Sequence, residues 1–195
     1  MTLGDCILIP YDHTAISNCR PFICANDDLN EFFSKDSINY SDQLLGKTYC
    51  FVSKEDSQLV VAAFTVANDS IKTTHLPNAR KKVVQERIPH SKTTRSYPAV
   101  LVGRLGVSKE ISGGGIGSEI MDFIKAWFID PKNKTGCRYI AVDAYNEAIP
   151  INFYSKNGFK FLFSSEEQEV EYLKLKPTDK LKTRLMIFDL IILKS

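Results

Sequence analysis

The chain has 195 residues, of which 44% are hydrophobic and 25% are charged, and its formal net charge is +2. This composition is typical of a globular protein, and it excludes a disordered or collagen-like chain. The longest apolar runs, such as residues 59–63, are far shorter than the roughly 20 residues of a membrane span, and the N-terminus lacks a basic leader. We expect one domain over residues 1–195, located in the cytoplasm and without membrane contact.

Cysteine and histidine usage argues against disulfides and metals. The five cysteines are an odd number with irregular spacing, which favours reduced thiols. None of the three histidines has a second ligand at metal spacing, so no metal site is expected. Cys137 is expected to pack at a strand entry rather than to act as a nucleophile.

The first half of the chain alternates strands and helices. Apolar and turn patterns predict, in order, a strand at 6–11, a helix at 27–43, a hairpin of strands at 48–53 and 58–66, and a short helix near 78–86. The stretch from Ile71 to Ser96 carries +6 and the remainder of the chain −4. Such a stretch either contacts the phosphates of an RNA or is a solvated, mobile connector. The candidate contacts that we take from it are Lys81, Lys82, Arg87 and Arg95.

A strand, a glycine-rich turn and a helix follow. Residues 97–102 are apolar and β-branched, as in a buried strand, and four glycines lie within positions 113–117. Backbone N–H groups of such a turn can converge on a diphosphate where the next helix begins. The helix should bury one face and expose the polar positions between. The expected buried positions are Ile116, Ile120, Phe123, Ile124 and Trp127, and the expected exposed ones are Glu119, Asp122 and Lys125.

The last third repeats this order. A buried strand is predicted at 139–144, directly before Asn146, and a short helix carrying Phe153 and Tyr154 should end at Gly158 in a left-handed cap. After a polar loop around 164–182, residues 183–193 should form the last strand. This order indicates an α+β fold with a central mixed sheet.

Three places in this region resemble the GNAT superfamily of N-acetyltransferases. Gly115-Ile116-Gly117 is similar to the core of its pyrophosphate loop, Asn146 matches the asparagine after its fifth strand, and the segment from Phe153 to Phe159 is similar to its FYxxxGF signature. The resemblance implies a mostly antiparallel sheet flanked by helices. Ser112 departs from the pattern, because the family usually has Gln or Arg there.

The N-terminal part narrows the resemblance to one branch. Residues 22–33 are similar to its FxCxxxxLxxFL opening, and residues 103–107 to its GRLAV strand. This branch includes toxins that acetylate aminoacyl-tRNA, although membership does not establish toxicity. It implies acetyl-CoA as co-substrate, an amine acceptor such as tRNA-borne aminoacyl groups, and an antitoxin-like partner or a homodimer as candidate assemblies.

The resemblance also implies roles for individual residues. Tyr154 would be the general acid that protonates the leaving sulfur, and the side chain of Arg104 would face either the cofactor or the substrate. Residues that would bind acetyl-CoA lie on the strand, on the turn and after the next strand: Leu105, Gly106, Val107, Ser112, Gly113, Gly114, Gly115, Ile116, Gly117, Ser118 and Asn146.

The strand before the glycine turn carries no carboxylate between residues 100 and 105 to act as a base. An α-amino group is roughly 10–15% neutral at pH 7, whereas a lysine side chain is about 0.04% neutral. An acceptor amine of low pKa is therefore favoured, such as that of an aminoacyl ester, although Asp143 or Glu147 acting through water is left open. The alternatives are acetylation of a small-molecule or protein amine, and a catalytically silent module that binds coenzyme A or RNA.

Overall fold

A computed structural model describes residues 1–89, 94–111 and 113–194. The strands are β1 (Cys6–Pro10), β2 (Lys47–Ser53), β3 (Val60–Lys72), β4 (Ser96–Val107), β5 (Tyr139–Tyr145), β6 (Lys160–Phe161) and β7 (Thr183–Asp189). The α-helices are α1 (His13–Asn18), α2 (Asp27–Glu31), α3 (Ser37–Asp42), α4 (Asn78–Gln85), α5 (Ile116–Ile129), α6 (Ala148–Lys156) and α7 (Glu166–Tyr172). A π-helical segment (Phe32–Asp36) joins α2 to α3, and short 3₁₀ helices lie at Leu3–Asp5 and Leu190–Leu193.

Among these residues, seven strands form one mixed sheet in the order β1-β2-β3-β4-β5-β7-β6. The pairs β1/β2, β2/β3, β5/β7 and β6/β7 are antiparallel, and β4/β5 is parallel. This arrangement confirms the α+β class and the mostly antiparallel sheet. The chain divides into two compact units, Met1–Ala67 with Val102–Ala126, and Asn68–Leu101 with Trp127–Ser195. The expectation of one domain therefore stays a prediction.

In the first unit, the N-terminal helices cover an aromatic core. Local side-chain caps start two of these helices, since Asp12 accepts a hydrogen bond from the N–H of Ala15 and Asn26 accepts one from that of Leu29, both at 3.0 Å. The core contains Phe33, which is fully buried and meets three other rings edge to face. These rings belong to Tyr11, Phe22 and Phe32, at 5.3–6.0 Å between centroids. This burial is the main stabilising term for helices as short as α1 and α2.

In the second unit, β5 pairs with β7 along its whole length, from Tyr139 opposite Asp189 to Tyr145 opposite Thr183. A buried ion pair between Glu169 and Arg184 holds α7 to β7. The carboxylate of Glu169 accepts hydrogen bonds from Nε of Arg184 at 2.7 Å and from the backbone N–H of Leu185 at 2.6 Å. The Arg184 guanidinium also lies 4.5 Å from the ring centre of Phe161.

Several sequence expectations need correction here. The polar loop at 164–182 contains α7, which begins with a side-chain cap from Ser165 to the N–H of Gln168. The last strand ends at Asp189, because the Asp189 carboxylate caps a 3₁₀ turn through the N–H of Ile191. On α5, Lys125 is buried rather than exposed, and its ammonium lies 2.9 Å from the Asp122 carboxylate.

We predict that Glu169→Ala destabilises the protein by about 3 kcal/mol, because the substitution leaves the buried Arg184 charge without its main partner. Urea unfolding followed by circular dichroism measures this loss. Glu171→Ala is the matched control, since Glu171 lies on the same helix but is exposed. A loss equal to that of the control would contradict the importance of the pair.

Candidate functional site

The end of β4 presents alternate residues to the two faces of the sheet. The Arg104 guanidinium lies 5.1 Å from the ring centre of Phe32, and a Cβ on Gly106 would lie 3.2 Å from the ring of Phe22. Arg104 and Gly106 therefore face the α1–α3 core, while Leu105 and Val107 face the other side. Glycine at 106 lets the backbone of β4 approach this core closely.

The helix that follows the glycine turn packs on the opposite face of the first unit. Phe51 of β2 meets Phe123 of α5 edge to face at 5.3 Å, whereas the flanking Cys50 and Val52 belong to the α1–α3 core. The sequence left the direction of Arg104 open between cofactor and substrate. The structure places Arg104 on the α2–α3 face, away from the helix that begins at the glycine turn.

The glycine turn has a backbone that favours glycine. Gly113 and Gly115 have φ of +93° and +84°, and a Cβ added at either would meet no atom within 4 Å. Ser118 and Glu119 donate their N–H groups to the carbonyl of Gly115, which starts α5. By helix geometry, the amides of Ile116 and Gly117 have no partner inside α5. The turn is thus open and offers donors where an anion is favoured.

The residues before the turn are pinned to their own unit. The backbone N–H of Ser108 donates to the carbonyl of Val61, and that of Lys109 donates to the carbonyl of Ile23, both at 2.9 Å. Gly114 is exposed between the two left-handed glycines. Ser112, which departs from the family pattern, lies outside the described residues, and so does Lys92 of the basic stretch.

In the second unit, Asn146 follows β5 and holds another segment of the chain. Its backbone N–H donates to the carbonyl of Lys182 at 2.9 Å, and its side-chain Nδ2 donates to that of Leu181 at 3.2 Å. The amide nitrogen of Asn146 is therefore engaged by the segment before β7. Its side-chain oxygen is the atom with which Asn146 can bind a cofactor.

Tyr154 lies on α6 in an aromatic group. Its ring meets those of Phe153 and Phe159 at 5.1 Å and 5.5 Å between centroids. Burial, and after it the negative charge of Asp143, raises the pKa of Tyr154 to about 12. The phenol is therefore protonated at any physiological pH and can act as a proton donor. Helix α6 carries Phe153 and Tyr154 as expected, and the chain leaves it at Gly158, whose φ is +84°.

The basic stretch contains an anchored helix. Arg80 donates from Nε and Nη2 to the carbonyls of Leu162 and Phe161, both at 2.6 Å. The phenol of Tyr139 donates to the carbonyl of Val84, whose side chain is buried. Arg80 is thus a structural anchor rather than an open cation. Of the four candidate RNA contacts, Lys82, Arg87 and Arg95 are exposed and Lys81 is half-buried.

Metal and thiol chemistry find no support in the part of the chain that the structure describes. No group of three or more His, Cys, Asp or Glu side chains there could hold a metal ion. None of its helices is long and apolar enough to cross a membrane. Burial raises the pKa of Cys137 to about 11, so its thiol is protonated and a poor nucleophile.

The sequence model of the acetyltransferase (GNAT) domain matches residues 47–161, which include β4, the glycine turn, Asn146 and Tyr154. The chain belongs to the GNAT acetyltransferase family. It is therefore an acetyltransferase by family, and acetyl-CoA is the co-substrate that the family uses. The open backbone at Gly113 and Gly115 fits a diphosphate there. No curated protein matches the chain.

Solved structures resemble this GNAT chain in fold over nearly its whole length. AtaT complexed with acetyl-methionyl-tRNAfMet is 17% identical, with 97% of this chain and 98% of that chain covered and a TM-score of 0.67. AtaTR bound with acetyl-CoA is 17% identical, with coverages of 98% and 99% and a TM-score of 0.65. A Tyr-to-Phe variant of AtaT, bound to the C-terminus of the antitoxin AtaR and acetyl-CoA, is 16% identical, with coverages of 97% and 96% and a TM-score of 0.62.

We predict that Arg80→Gln speeds hydrogen exchange of the α4 amides by about tenfold, because the helix loses two charge-assisted hydrogen bonds. Exchange followed by mass spectrometry on peptides covering 78–86 measures this. Lys82→Gln removes the same charge from an exposed position and should leave the exchange unchanged. Equal exchange in both variants would contradict the anchoring role.

Proposed function

We propose that this acetyltransferase moves the acetyl group of acetyl-CoA to the α-amine of an aminoacyl-tRNA. The observation that carries the proposal is the place of the Tyr154 phenol on α6, within the region that matches the family. The similarity of fold to AtaT, which was solved with acetyl-methionyl-tRNAfMet, supports the choice of acceptor. The basic stretch supports it independently, because its exposed cations Lys82, Arg87 and Arg95 suit phosphate contact.

We assign the cofactor to the glycine turn and the end of β4. The amides of residues 113–118 would hold the pyrophosphate, because the left-handed glycines leave this backbone open. Ser112, which precedes them in the sequence, is kept as a further candidate contact. The N–H groups of Leu105, Gly106 and Val107 would donate to the pantetheine arm and to the carbonyl oxygen as it gains charge. Asn146 would contribute its side-chain oxygen to the cofactor arm.

Proton transfer is divided between the acceptor and Tyr154. Acetyl-CoA supplies an acetyl thioester when it is bound. The neutral amine of the acceptor would form the new C–N bond as the thioester C–S bond breaks, and it would lose a proton to solvent. Tyr154 would donate its proton to the departing sulfur, and its phenolate would then regain a proton from solvent. No carboxylate lies at residues 100–105 of β4, so an amine that is already partly neutral is favoured.

We assign Arg104 to the acceptor rather than to the cofactor. Its guanidinium is held over Phe32 and donates to the carbonyl of Gly103 at 2.7 Å, on the face opposite α5. Lys81, Lys82, Arg87 and Arg95 would contact phosphates farther along the RNA. An antitoxin-like partner and a second copy of the chain are further proposals, of which the AtaT–AtaR complex supports the first. We also propose the cytoplasm as the location, where acetyl-CoA and aminoacyl-tRNA meet.

We predict that Gly115→Ala weakens acetyl-CoA binding about tenfold, because an alanine relaxes out of the left-handed backbone in the free protein, and its return on binding costs about 1–2 kcal/mol although its Cβ has room. Calorimetric titration with acetyl-CoA measures the affinity. Gly136→Ala is the control, since Gly136 is equally open and its φ is not left-handed. Unchanged affinity at 115 would place the pyrophosphate elsewhere.

We predict that Tyr154→Phe lowers kcat about 10²- to 10⁴-fold and leaves the acetyl-CoA affinity unchanged, because the phenol acts only on the leaving group. Release of free thiol measures kcat with methionine amide as acceptor. The rate of the native enzyme should rise with pH through the acceptor pKa near 8 and stay high to about pH 10, since Tyr154 with a pKa of about 12 remains protonated.

Three results would count against this function. An unchanged rate in Tyr154→Phe would exclude the phenol as the acid. Faster acetylation of an Nα-blocked lysine than of methionine amide or methionyl-tRNA would favour the protein-amine alternative. No thiol release with any amine, despite acetyl-CoA binding, would favour the silent module.

A further inference from the structure

A second cationic surface lies beyond the region that matches the family. Residues 173–182, which we name the lysine loop, follow α7 and precede β7. The loop contains one acid, Asp179, and four lysines whose side chains are all exposed. They are Lys174, Lys176, Lys180 and Lys182. Four glutamates of α7 directly precede this loop. The net charge of α7 and the loop together is therefore close to zero, although the loop itself is positive.

The lysine loop has a defined backbone. At its start, the N–H of Leu175 donates to the carbonyl of Val170 at 3.0 Å, which closes the end of α7. At its centre, Lys176 and Asp179 form a turn, in which the N–H of Lys176 donates to the Asp179 carboxylate at 3.1 Å and the N–H of Asp179 returns to the Lys176 carbonyl at 2.9 Å. Cations on an ordered loop lose less entropy on binding than those on a free tail.

Both ends of the lysine loop are fixed within the second unit. The buried Glu169–Arg184 pair holds α7, and the two hydrogen bonds from Asn146 hold Leu181 and Lys182. Asn146 lies two residues before the start of α6, the helix that carries Tyr154. The lysines are thus tied to the turn that leads into the proposed general acid.

The neighbouring acids do not cancel this charge. Glu169 is buried against Arg184, and the carboxylate of Glu166 lies 3.6 Å from the same guanidinium. The Asp179 carboxylate accepts a hydrogen bond from the loop backbone but keeps its charge, so the loop carries a net charge of +3. Glu167 and Glu171 are exposed on α7 itself, so a polyanion would be repelled from that helix and attracted to the lysines beyond it.

We propose that the lysine loop contacts the phosphate backbone of the RNA acceptor, as a surface additional to α4. Lysine ammonium groups bind phosphates as point charges without reading sequence, so the loop would add affinity and orientation rather than base specificity. This proposal rests on the proposed function, because it takes the acceptor to be an RNA.

The test is the salt dependence of RNA binding. Each phosphate contact contributes about 0.9 to the slope of log K against log salt for B-form DNA and about 0.7 for single strands, and we take this range for tRNA. We expect the double variants Lys174→Gln/Lys176→Gln and Lys180→Gln/Lys182→Gln each to reduce the slope for deacylated tRNA by about 1.5. Lys132→Gln/Lys134→Gln is the matched control, since it removes the same charge from two exposed lysines of another loop.

The outcomes are distinguishable. A reduced slope in the loop variants, with the control like the native protein and all melting temperatures alike, supports the proposal. An unchanged slope, an equal change in the control, or a native protein that binds no RNA overturns it. Thiol release with methionine amide is measured on the same variants and should not change. If the native enzyme acetylates no amine at all, the proposed function fails, and the salt slopes still decide whether the loop binds RNA.

Discussion

Strand β5 is the element on which the second unit depends. It is paired with β7 over all seven residues, and four of its first five side chains are buried from solvent. The phenol of Tyr139 at its start holds α4, while Asn146 just after its end holds the lysine loop and leads into α6. A displacement of β5 would therefore move the basic helix, the lysine loop and Tyr154 together.

The first unit depends on the close approach of the β4 backbone to the α1–α3 core. Gly106 lies against Phe22 and Cys24, and the adjacent Arg104 rests on Phe32. The same unit carries the open turn with its two left-handed glycines. The chemistry that we assign to this unit uses main-chain amides, so the identity of these side chains matters chiefly through the backbone that they allow.

Charge on this protein has two physical roles that a count does not separate. Arg80, Arg184 and Lys125 are cations whose groups are engaged by carbonyls or carboxylates, and they stabilise the fold. Lys82, Arg87 and the lysines of residues 173–182 are exposed and remain available to a polyanion. The +6 of the basic stretch therefore includes one cation, Arg80, whose guanidinium is committed to the fold.

The sequence by itself determined the local structure of the chain. The hairpin, the strand–turn–helix order and the cap at Gly158 follow from the periods of apolar residues and from the φ values that glycine alone adopts freely. The family resemblance rests on short local motifs, so it could also be recognised from the sequence. Tertiary structure decided which partner each polar side chain found. It set Arg104 on the α2–α3 face, buried Lys125, and engaged Arg80 and Asn146 with carbonyls distant in sequence. These outcomes depend on contacts between residues many positions apart, and no local pattern encodes such contacts.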